Sequence, residues 1–462
     1  MNYKSLISIA LLGALMSSCG LYKNYERPAD IKTDGLYGEM QTAGDNSLGD
    51  LSWRDMFTDP KLQQLIERGL LNNSDMKNAD LRIKEVEYAL QCAKLAYIPS
   101  IYFNPSGTIS RTFDPYPYDR IDASTGKTYS LPLQVSWQIG SLGGLRNNKK
   151  KAEVDRDMLR DAKQAIQTRV VAGIASIYYN LCMLDAQLTL TKETEKNWAK
   201  YLEMQKMLME AGQGNLAAVA SIEATHYSIL TSIVSLEDRI HALSIQMATL
   251  LGESFSPVDR SSLASFRTPA ICTGMPITIL ERRPDVRMAE KTLAKAFYDK
   301  NIALSKFFPS LSINASGNFT NSLGMVEMNP GIIMANAVAS LSQPLFNNGR
   351  IRAQYKVSKA EMEIATNDLK QAVIEAGNEV HAAMDDIHVA SQKQEFIDQQ
   401  VLSLEKALMA TEQLYANSGT NYLNVITAQN SLLQAQMSQI SNRMDAIQGT
   451  IDLYQALGGG AQ

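Results

Sequence analysis

Residues 351–415 read IRAQYKVSKAEMEIATNDLKQAVIEAGNEVHAAMDDIHVASQKQEFIDQQVLSLEKALMATEQLY, a stretch without proline in which apolar residues step by four and three. The seam runs Leu369, Val373, Ala376, Val380, Ala383, Ile387, Ala390, Ile397, Val401, Leu404, Leu408 and Tyr415, and only Gln394 and Thr411 interrupt it. A 3.5-residue period held this long predicts coiled-coil packing rather than the apolar stripe of a globular helix. At ~1.5 Å per residue the segment makes a rod of roughly 100 Å. A return helix follows on the same period, with Ile426, Leu433, Met437, Ile440, Met444, Ile447, Ile451 and Tyr454, broken only at Asn430.

Outward from this pair, the chain repeats itself. Asp75, Ala79, Ala93, Pro99, Ser100, Asn104, Ser106 and Gly107 return as Asp285, Ala289, Ala303, Pro309, Ser310, Asn314, Ser316 and Gly317. Further along, Gly143-Gly144-Leu145-Arg146 lies under Gly349-Arg350-Ile351-Arg352, Val219 under Val425, and Leu251-Gly252 under Leu457-Gly458. The expected organisation is a first repeat over 53–252, a linker over 253–275 carrying Pro257 and Pro269, a second repeat over 276–458 and a tail over 459–462. Each repeat reads helix, hairpin, long helix, turn, long helix.

The hairpins carry the other period. Ile101, Phe103, Gly107 and Ile109 alternate with Tyr102, Asn104, Ser106 and Thr108, and Leu131, Leu133, Val135 and Trp137 alternate with Pro132, Gln134, Ser136 and Gln138. In the second repeat Leu311, Ile313, Ala315 and Phe319 alternate with Ser312, Asn314, Ser316 and Asn318, and Ile333, Ala335, Ala337, Ala339 and Leu341 share one side. The expected strands lie at about 101–111, 129–138, 310–320 and 332–342, matching the apolar-out, polar-in pattern of membrane barrels. Period alone leaves a soluble sheet with one wet face open. As membrane strands, four cannot close a barrel, and an open edge is not tolerated in lipid. Strands from several copies must then be shared, and this physics leaves dimer, trimer and tetramer open.

The N-terminus reads as an address. Lys4 precedes the apolar run Leu6–Met16, too short to span a bilayer, and Ser17-Ser18-Cys19-Gly20 resembles a bacterial lipoprotein signal. The expectation is removal of 1–18, acylation of Cys19 and an extended strap over 19–52; an ordinary cleaved secretory signal is the alternative. Beyond that run no apolar stretch of about 18 residues remains for a transmembrane helix. Cys92, Cys182 and Cys272 are an odd set whose spacings fit no zinc or redox motif, so free, buried structural thiols are expected, with one chance bridge as the alternative.

The whole composition narrows the field. The 462 residues are 45% hydrophobic and 20% charged, with 44 basic against 48 acidic side chains. That balance excludes a disordered chain or a polytopic helical membrane protein, and gives no footprint for nucleic acid. Gly126-Lys127-Thr128 lacks the upstream glycine of a nucleotide loop and is expected in a surface turn. Lys149-Lys150-Lys151 is expected as a solvated first helical turn, and Arg282-Arg283 before Pro284-Asp285 as a structural helix start rather than a phosphate clamp. His226, His241, His381 and His388 form no metal motif, and no nucleophile elbow or acid–base constellation stands out, so no cofactor, metal or enzyme activity is expected.

Several motifs in order then carry a resemblance over the mature chain. Trp53, Phe57, Asp59, Leu65, Ile66, Asn72, Asp75 and Ala79 resemble the opening of outer-membrane efflux proteins of the TolC/OprM type. Glu281-Arg282-Arg283-Pro284-Asp285-Val286-Arg287 resembles their lipoprotein branch, which serves resistance-nodulation-division drug pumps. Phe308-Pro309-Ser310-Leu311 and Gln343-Pro344-Leu345-Phe346 resemble the family's strand entry and exit. The resemblance implies a mainly α fold with a membrane β part: a homotrimer with a 12-stranded β-barrel in the outer membrane of a Gram-negative bacterium, continuing into a 12-helix periplasmic tunnel. It implies a passive exit duct for drugs or other small amphipathic compounds, worked with a periplasmic adaptor and an inner-membrane resistance-nodulation-division transporter. A protein-secretion duct and a lipid-anchored, non-pore scaffold are the alternatives.

Its implied gate falls on Leu423, Asn424 and Thr427, with Leu216, Ala218 and Ser221 in the first repeat. The tip turns that meet an adaptor fall on Ser418, Gly419, Asn421 and Tyr422, and on Gly212 and Gly214. Many family members carry aspartate where Thr427 stands, some also where Asn424 stands. This chain departs from that, and a neutral gate held by packing and hydrogen bonds is expected.

Overall fold

The computed structural model describes residues 22–28, 52–115, 121–141, 143–263, 283–320, 332–417 and 422–459. Cys19, Cys272, Arg282, Ser418, Gly419 and Asn421, and most of the expected strap and linker, lie outside them. The helices are α1 (Trp53–Met56), α2 (Pro60–Asn72), α3 (Ser74–Leu95), α4 (Gly144–Glu210), α5 (Leu216–Leu251), α6 (Pro284–Ser305), α7 (Arg350–Ala416) and α8 (Tyr422–Ala456). The strands are β1 (Ser100–Phe103), β2 (Ser106–Pro115), β3 (Ile121–Ser141), β4 (Ser310–Thr320) and β5 (Ile332–Ser342). These divide into two compact units: one built from 83–158 and 289–369 with the N-terminal segment, the other from 30–82, 159–288 and 370–462.

The first unit holds one antiparallel sheet. β3 pairs with both β1 and β2, β4 with β3, and β5 with β4. The first expected strand is therefore two strands, parted at Asn104 and Pro105. Asn104 N–H donates to the carbonyl of Pro132, but Pro132 has no N–H to return the bond. Pro105 lies in the next, non-hydrogen-bonded rung, so its nitrogen faces the sheet edge, where proline is tolerated.

β3 is also longer than alternation suggested, reaching back to Ile121, and Gly126-Lys127-Thr128 is no turn. Gly126 pairs with Ser110, Lys127 with Ile109 and Thr128 with Thr108. The tripeptide is turn-like taken alone, but its place is set by the ladder that β2 continues to Pro115. Lys149-Lys150-Lys151 lies past the first turn of α4 and is half-buried, with Lys150 pairing with Glu153 at 3.0 Å and Lys151 with Asp299 at 2.7 Å. Of the thiols expected inside, Cys182 is buried but Cys92 is exposed on α3.

The N-terminal segment docks on this unit. The Tyr22 ring fills the space that a Cβ on Gly143 would need, and Gly143 holds φ +81°. Tyr25 packs edge-on against Phe297 at 5.8 Å, and Arg27 faces Glu290 at 3.9 Å.

The second unit is helical. Phe57, Leu62 and Ile66 from α1 and α2 meet Ile174 and Tyr178 of α4, Met247 and Leu251 of α5, and Ile447, Ile451 and Tyr454 of α8 in one core. The α7 seam is buried as its period predicts, with Leu369, Val373, Ala376, Val380, Ala383, Ile387 and Ala390 all under 7% exposed. Its polar interruption has a partner: Asn442 of α8, buried, donates to Gln394 Oε1 and to the Ala390 carbonyl, each at 2.9 Å.

Arg283 starts α6 from inside the protein. Its guanidinium donates to Asp285 at 2.6 and 3.0 Å, to Glu379 at 2.6 Å and to the Ala456 carbonyl at 2.7 Å. Burial pushes the Asp285 carboxyl up, but the Arg283 contacts outweigh it and hold the group below its ordinary range.

Candidate conduit face and helix tips

The sheet has two chemically distinct faces, and register decides what lies on each. Tyr129, Leu131, Leu133, Val135 and Trp137 share a face with Phe319, Ala315 and Ile313, and with Ile333, Ala339 and Leu341. These apolar groups are exposed, Leu133 at 51%, Leu341 at 62% and Ile333 at 79%. An aromatic pair, Tyr129 and Phe319 with centroids 6.0 Å apart, marks one end of the band. Trp137 marks the other, its Nε1 donating to the Tyr97 carbonyl at 3.1 Å. From Tyr129 to Trp137 the strand climbs about 26 Å, or ~20 Å along the normal at a typical barrel tilt, close to the ~25 Å apolar belt of outer-membrane barrels. Lys127 falls just past the aromatic end.

On the opposite face Ser136 stands across from Asn314, Gln134 from Ser316 and Gln138 from Ser312. Ser136 donates to Asn314 Oδ1 at 2.9 Å and Ser130 to Asn318 Oδ1 at 2.8 Å, so the polar groups knit the strands together. The sheet's outer strands, β1 with β2 on one side and β5 on the other, end the hydrogen-bonded order. Among the described residues, no helix is long and apolar enough to cross a membrane.

The helix tips belong to the second unit. α4 ends at Glu210, and the turn uses Gly212 at φ +74° and Gly214, where a Cβ would come within 2.8 Å of the Met209 nitrogen. Asn215 then caps α5, its side chain accepting from Ala218 N–H at 2.8 Å. Leu216 is 72% and Leu423 57% exposed. Ser221, Asn424 and Thr427 are exposed too, and Ala218 is half-buried. Thr427 Oγ1 donates back to the Leu423 carbonyl at 2.9 Å.

Tyr422 is not on the surface where the turn reading placed it. It is 4% exposed and packs with Trp198, Ile222, Ile229, Val425 and Ile426. Its ring meets Tyr415 edge-on at 5.2 Å and Tyr201 at 5.9 Å. Being the first residue of α8, it turns inward with the helical period.

Two further ties went unread in the sequence. Tyr201 OH donates to Glu412 Oε1 at 2.7 Å, and Tyr415 OH to Gln205 Oε1 at 3.4 Å, both linking α4 to α7. Burial first, then the Glu412 carboxylate, pushes the Tyr201 phenol up to about 12. The available signal was the seam of α4, where Trp198, Tyr201 and Gln205 recur at helical spacing. Among the described residues no group of three or more His, Cys, Asp or Glu side chains could hold a metal ion.

Comparison with known proteins places this geometry. A model described as outer membrane efflux protein matches residues 65–253 and 276–459. The cation efflux system protein CusC of Escherichia coli is 26% identical over 388 residues, covering 81% of this chain and 80% of that protein. The toluene efflux pump outer membrane protein TtgC of Pseudomonas putida is 27% identical over 401 residues, covering 82% and 79%. A crystal structure of CusC shares the fold at a TM-score of 0.84 and 23% identity, covering 96% of this chain and 100% of that one.

Proposed function

This chain belongs to the outer membrane efflux protein family, and from that premise we propose that three copies form an outer-membrane exit duct for a tripartite pump. The observation that carries the reading is the sheet: an exposed apolar face of membrane height, a polar opposite face and two open edges. Unpaired edges in lipid cost several kcal/mol per group, so the sheet must close with others. With β1 and β2 counted as one broken strand, each copy lends four, and three copies give a twelve-stranded barrel. The long helices would form the periplasmic tunnel, with acylation of Cys19 adding a lipid anchor.

The named relatives serve cations in one case and toluene in another, so likeness alone names no cargo. Drugs or other small amphipathic compounds suit a passive duct. An inner-membrane transporter of the resistance-nodulation-division class drives them, and a periplasmic adaptor opens the tips, meeting the turns at Gly212–Gly214 and 418–421. We place the gate at Leu423, Asn424, Thr427, Leu216, Ala218 and Ser221. Leu423 and Leu216 are exposed apolar side chains at the tips, which three copies would bring together as a dry constriction. No carboxylate stands in that set, so packing and hydrogen bonds close it. A non-pore scaffold would leave the two-faced sheet without a role.

Single-channel recording of purified protein in planar bilayers tests this, wild type beside Leu423→Asp. Three like charges at the constriction should make openings larger or more frequent. Silence from well-inserted trimers of both proteins would sink the duct, and a conducting protein indifferent to the change would move the gate elsewhere.

A further inference from the structure

The polar face of the sheet has a property that its alternation alone does not require: among the described residues it is electrically neutral over the full height of the apolar band. Reading inward, its rungs are Thr108 with Thr128, Ser106 with Ser130, Pro132 with Asn318, Gln134 with Ser316, Ser136 with Asn314, and Gln138 with Ser312. β5 continues the face with Asn336, Val338, Ser340 and Ser342 against Ser316, Asn314, Ser312 and Ser310. Apart from Pro132 and Val338, the residues named are hydroxyls and amides. Of the charged residues of the described strands, Arg111 and Lys127 fall on the other face, past its aromatic end, and the Asp114–Asp122 rung lies in the register of this face, outside the band.

The nearly neutral lining continues where the sheet meets the helices. A cavity of about 900 Å³ lies against its inner end, lined by Ser100, Tyr102, Ser136, Gln138 and Ser310 from that same face. Its lining includes a single formal charge, Lys306, whose Nζ donates to Gln354 Oε1 at 2.8 Å. Pores select by charge when rings of acidic or basic side chains line them. A lining of amide and hydroxyl dipoles solvates either sign and repels neither.

Resting on the duct reading, we infer that the membrane section of this protein is an uncharged polar lane, lined chiefly by Ser312, Asn314, Ser316, Asn318, Gln134 and Ser136. It therefore exerts no charge selection, and its cargo class extends to anionic, cationic and zwitterionic amphipaths alike. Any selection by charge then belongs to the Asp114–Asp122 rung outside the band, to the helical tips or to the pump, not to the membrane section.

The test reads the local potential directly. Ser316→Cys is placed in a Cys92→Ser background that also carries Asp114→Asn and Asp122→Asn, so that the outer acidic rung adds no bias. The open duct, in the Leu423→Asp form, is treated from outside with trimethylammonium-ethyl and sulfonatoethyl methanethiosulfonate. The fall of current gives each rate, normalised to the same reagent on a small free thiol, with the Cys92→Ser parent as blank and Ser312→Cys as a second position. The normalised rates should agree within about twofold, and Asn314→Asp should then favour the cationic reagent by roughly tenfold. A bias near tenfold without that added acid overturns the inference while leaving the duct intact. Absence of conductance in every variant overturns the duct reading and this inference with it. A native K⁺/Cl⁻ permeability ratio far from unity, beside equal thiol rates, upholds the inference and locates the selectivity outside the membrane section.

Discussion

The two repeats solve one joint in two ways. In the first, Asn73 precedes α3, caps it by accepting from Asp75 N–H at 2.8 Å, and donates to the Leu250 carbonyl at 2.8 Å. In the second, the matching residue is Arg283, which precedes α6 and donates to the matching carbonyl, Ala456, at 2.7 Å. The same strut ties the start of the short helix to the end of the return helix in both. A neutral amide completes it locally. A buried guanidinium cannot, and recruits Asp285 beside it and Glu379 from α7. The lesson is that duplication preserved the strut while its chemistry diverged: the strut residue is ionic in the second repeat and a neutral amide in the first, where the ion pair at the joint, Arg68 with Glu253, stands beside the strut.

The largest effect should come from cutting the ionic strut. Arg283→Ala leaves an acid pair and a buried carbonyl without their donor and should cost about 3–5 kcal/mol, against ~1–2 kcal/mol for Asn73→Ala. Denaturant unfolding of the two variants measures both, and equal losses would mean the charge adds nothing. Acid sharpens the contrast. Because Asp285 titrates lower in the folded protein than its ordinary 3.8, its contribution is whole above that value and drains away as pH falls through the folded pKa. Hydrogen exchange corrected for intrinsic rates should then show the end of α8 losing protection below about pH 4, measured in a Glu253→Gln background because Arg68 holds the Glu253 carboxyl low at the end of α5 and gives that end an acid response of its own.

The caps repeat more strictly. Gly252 and Gly458 both end return helices at positive φ, +68° and +72°. A Cβ on Gly252 would meet the Asn72 carbonyl oxygen at 2.6 Å, whereas on Gly458 the nearest atoms are 3.1 Å away. Gly252→Ala should therefore cost about 2–3 kcal/mol and Gly458→Ala roughly 1–2 kcal/mol. Matching melting shifts would show that backbone strain alone sets the cost.

At the tips, Tyr201→Phe removes a hydroxyl bonded to a carboxylate and should loosen closure by about 1.5–2 kcal/mol, and Tyr415→Phe, with its longer bond to an amide, by less than ~1 kcal/mol. Open probability in bilayers reads the difference, and the reverse order would move the tie from Glu412 to Gln205.

Much of this was legible in advance because its causes are periodic. The seam from Leu369 to Ala390 is buried because its heptad lets each residue face a neighbouring helix, and that needs no knowledge of the partner. Alternation likewise sorted the sheet's two faces. What escaped depends on contacts distant in sequence. Nothing near Arg283 announces Glu379, and Trp198 with Tyr201 looks like any seam until Tyr422 arrives from α8. Gly126-Lys127-Thr128 misled for the opposite reason: a local turn signal was overruled by the strand it pairs with.

The smallest change addresses the other divergence between the repeats, the hairpins. β4 and β5 are unbroken, whereas β1 and β2 are parted although both pair with β3 in continuous register. If the break comes from the proline donor missing at Pro132, Pro132→Val should return the bond to the Asn104 carbonyl and fuse β1 with β2. The gain is about 0.5–1 kcal/mol, one ordinary sheet hydrogen bond together with a better strand former. Slow exchange at the amide this substitution introduces, with an unchanged barrel, is the expected result. An amide there that exchanges as fast as a loop would mean that Asn104 and Pro105 hold the strands apart by themselves. The first hairpin would then owe its break to its edge rather than to its centre.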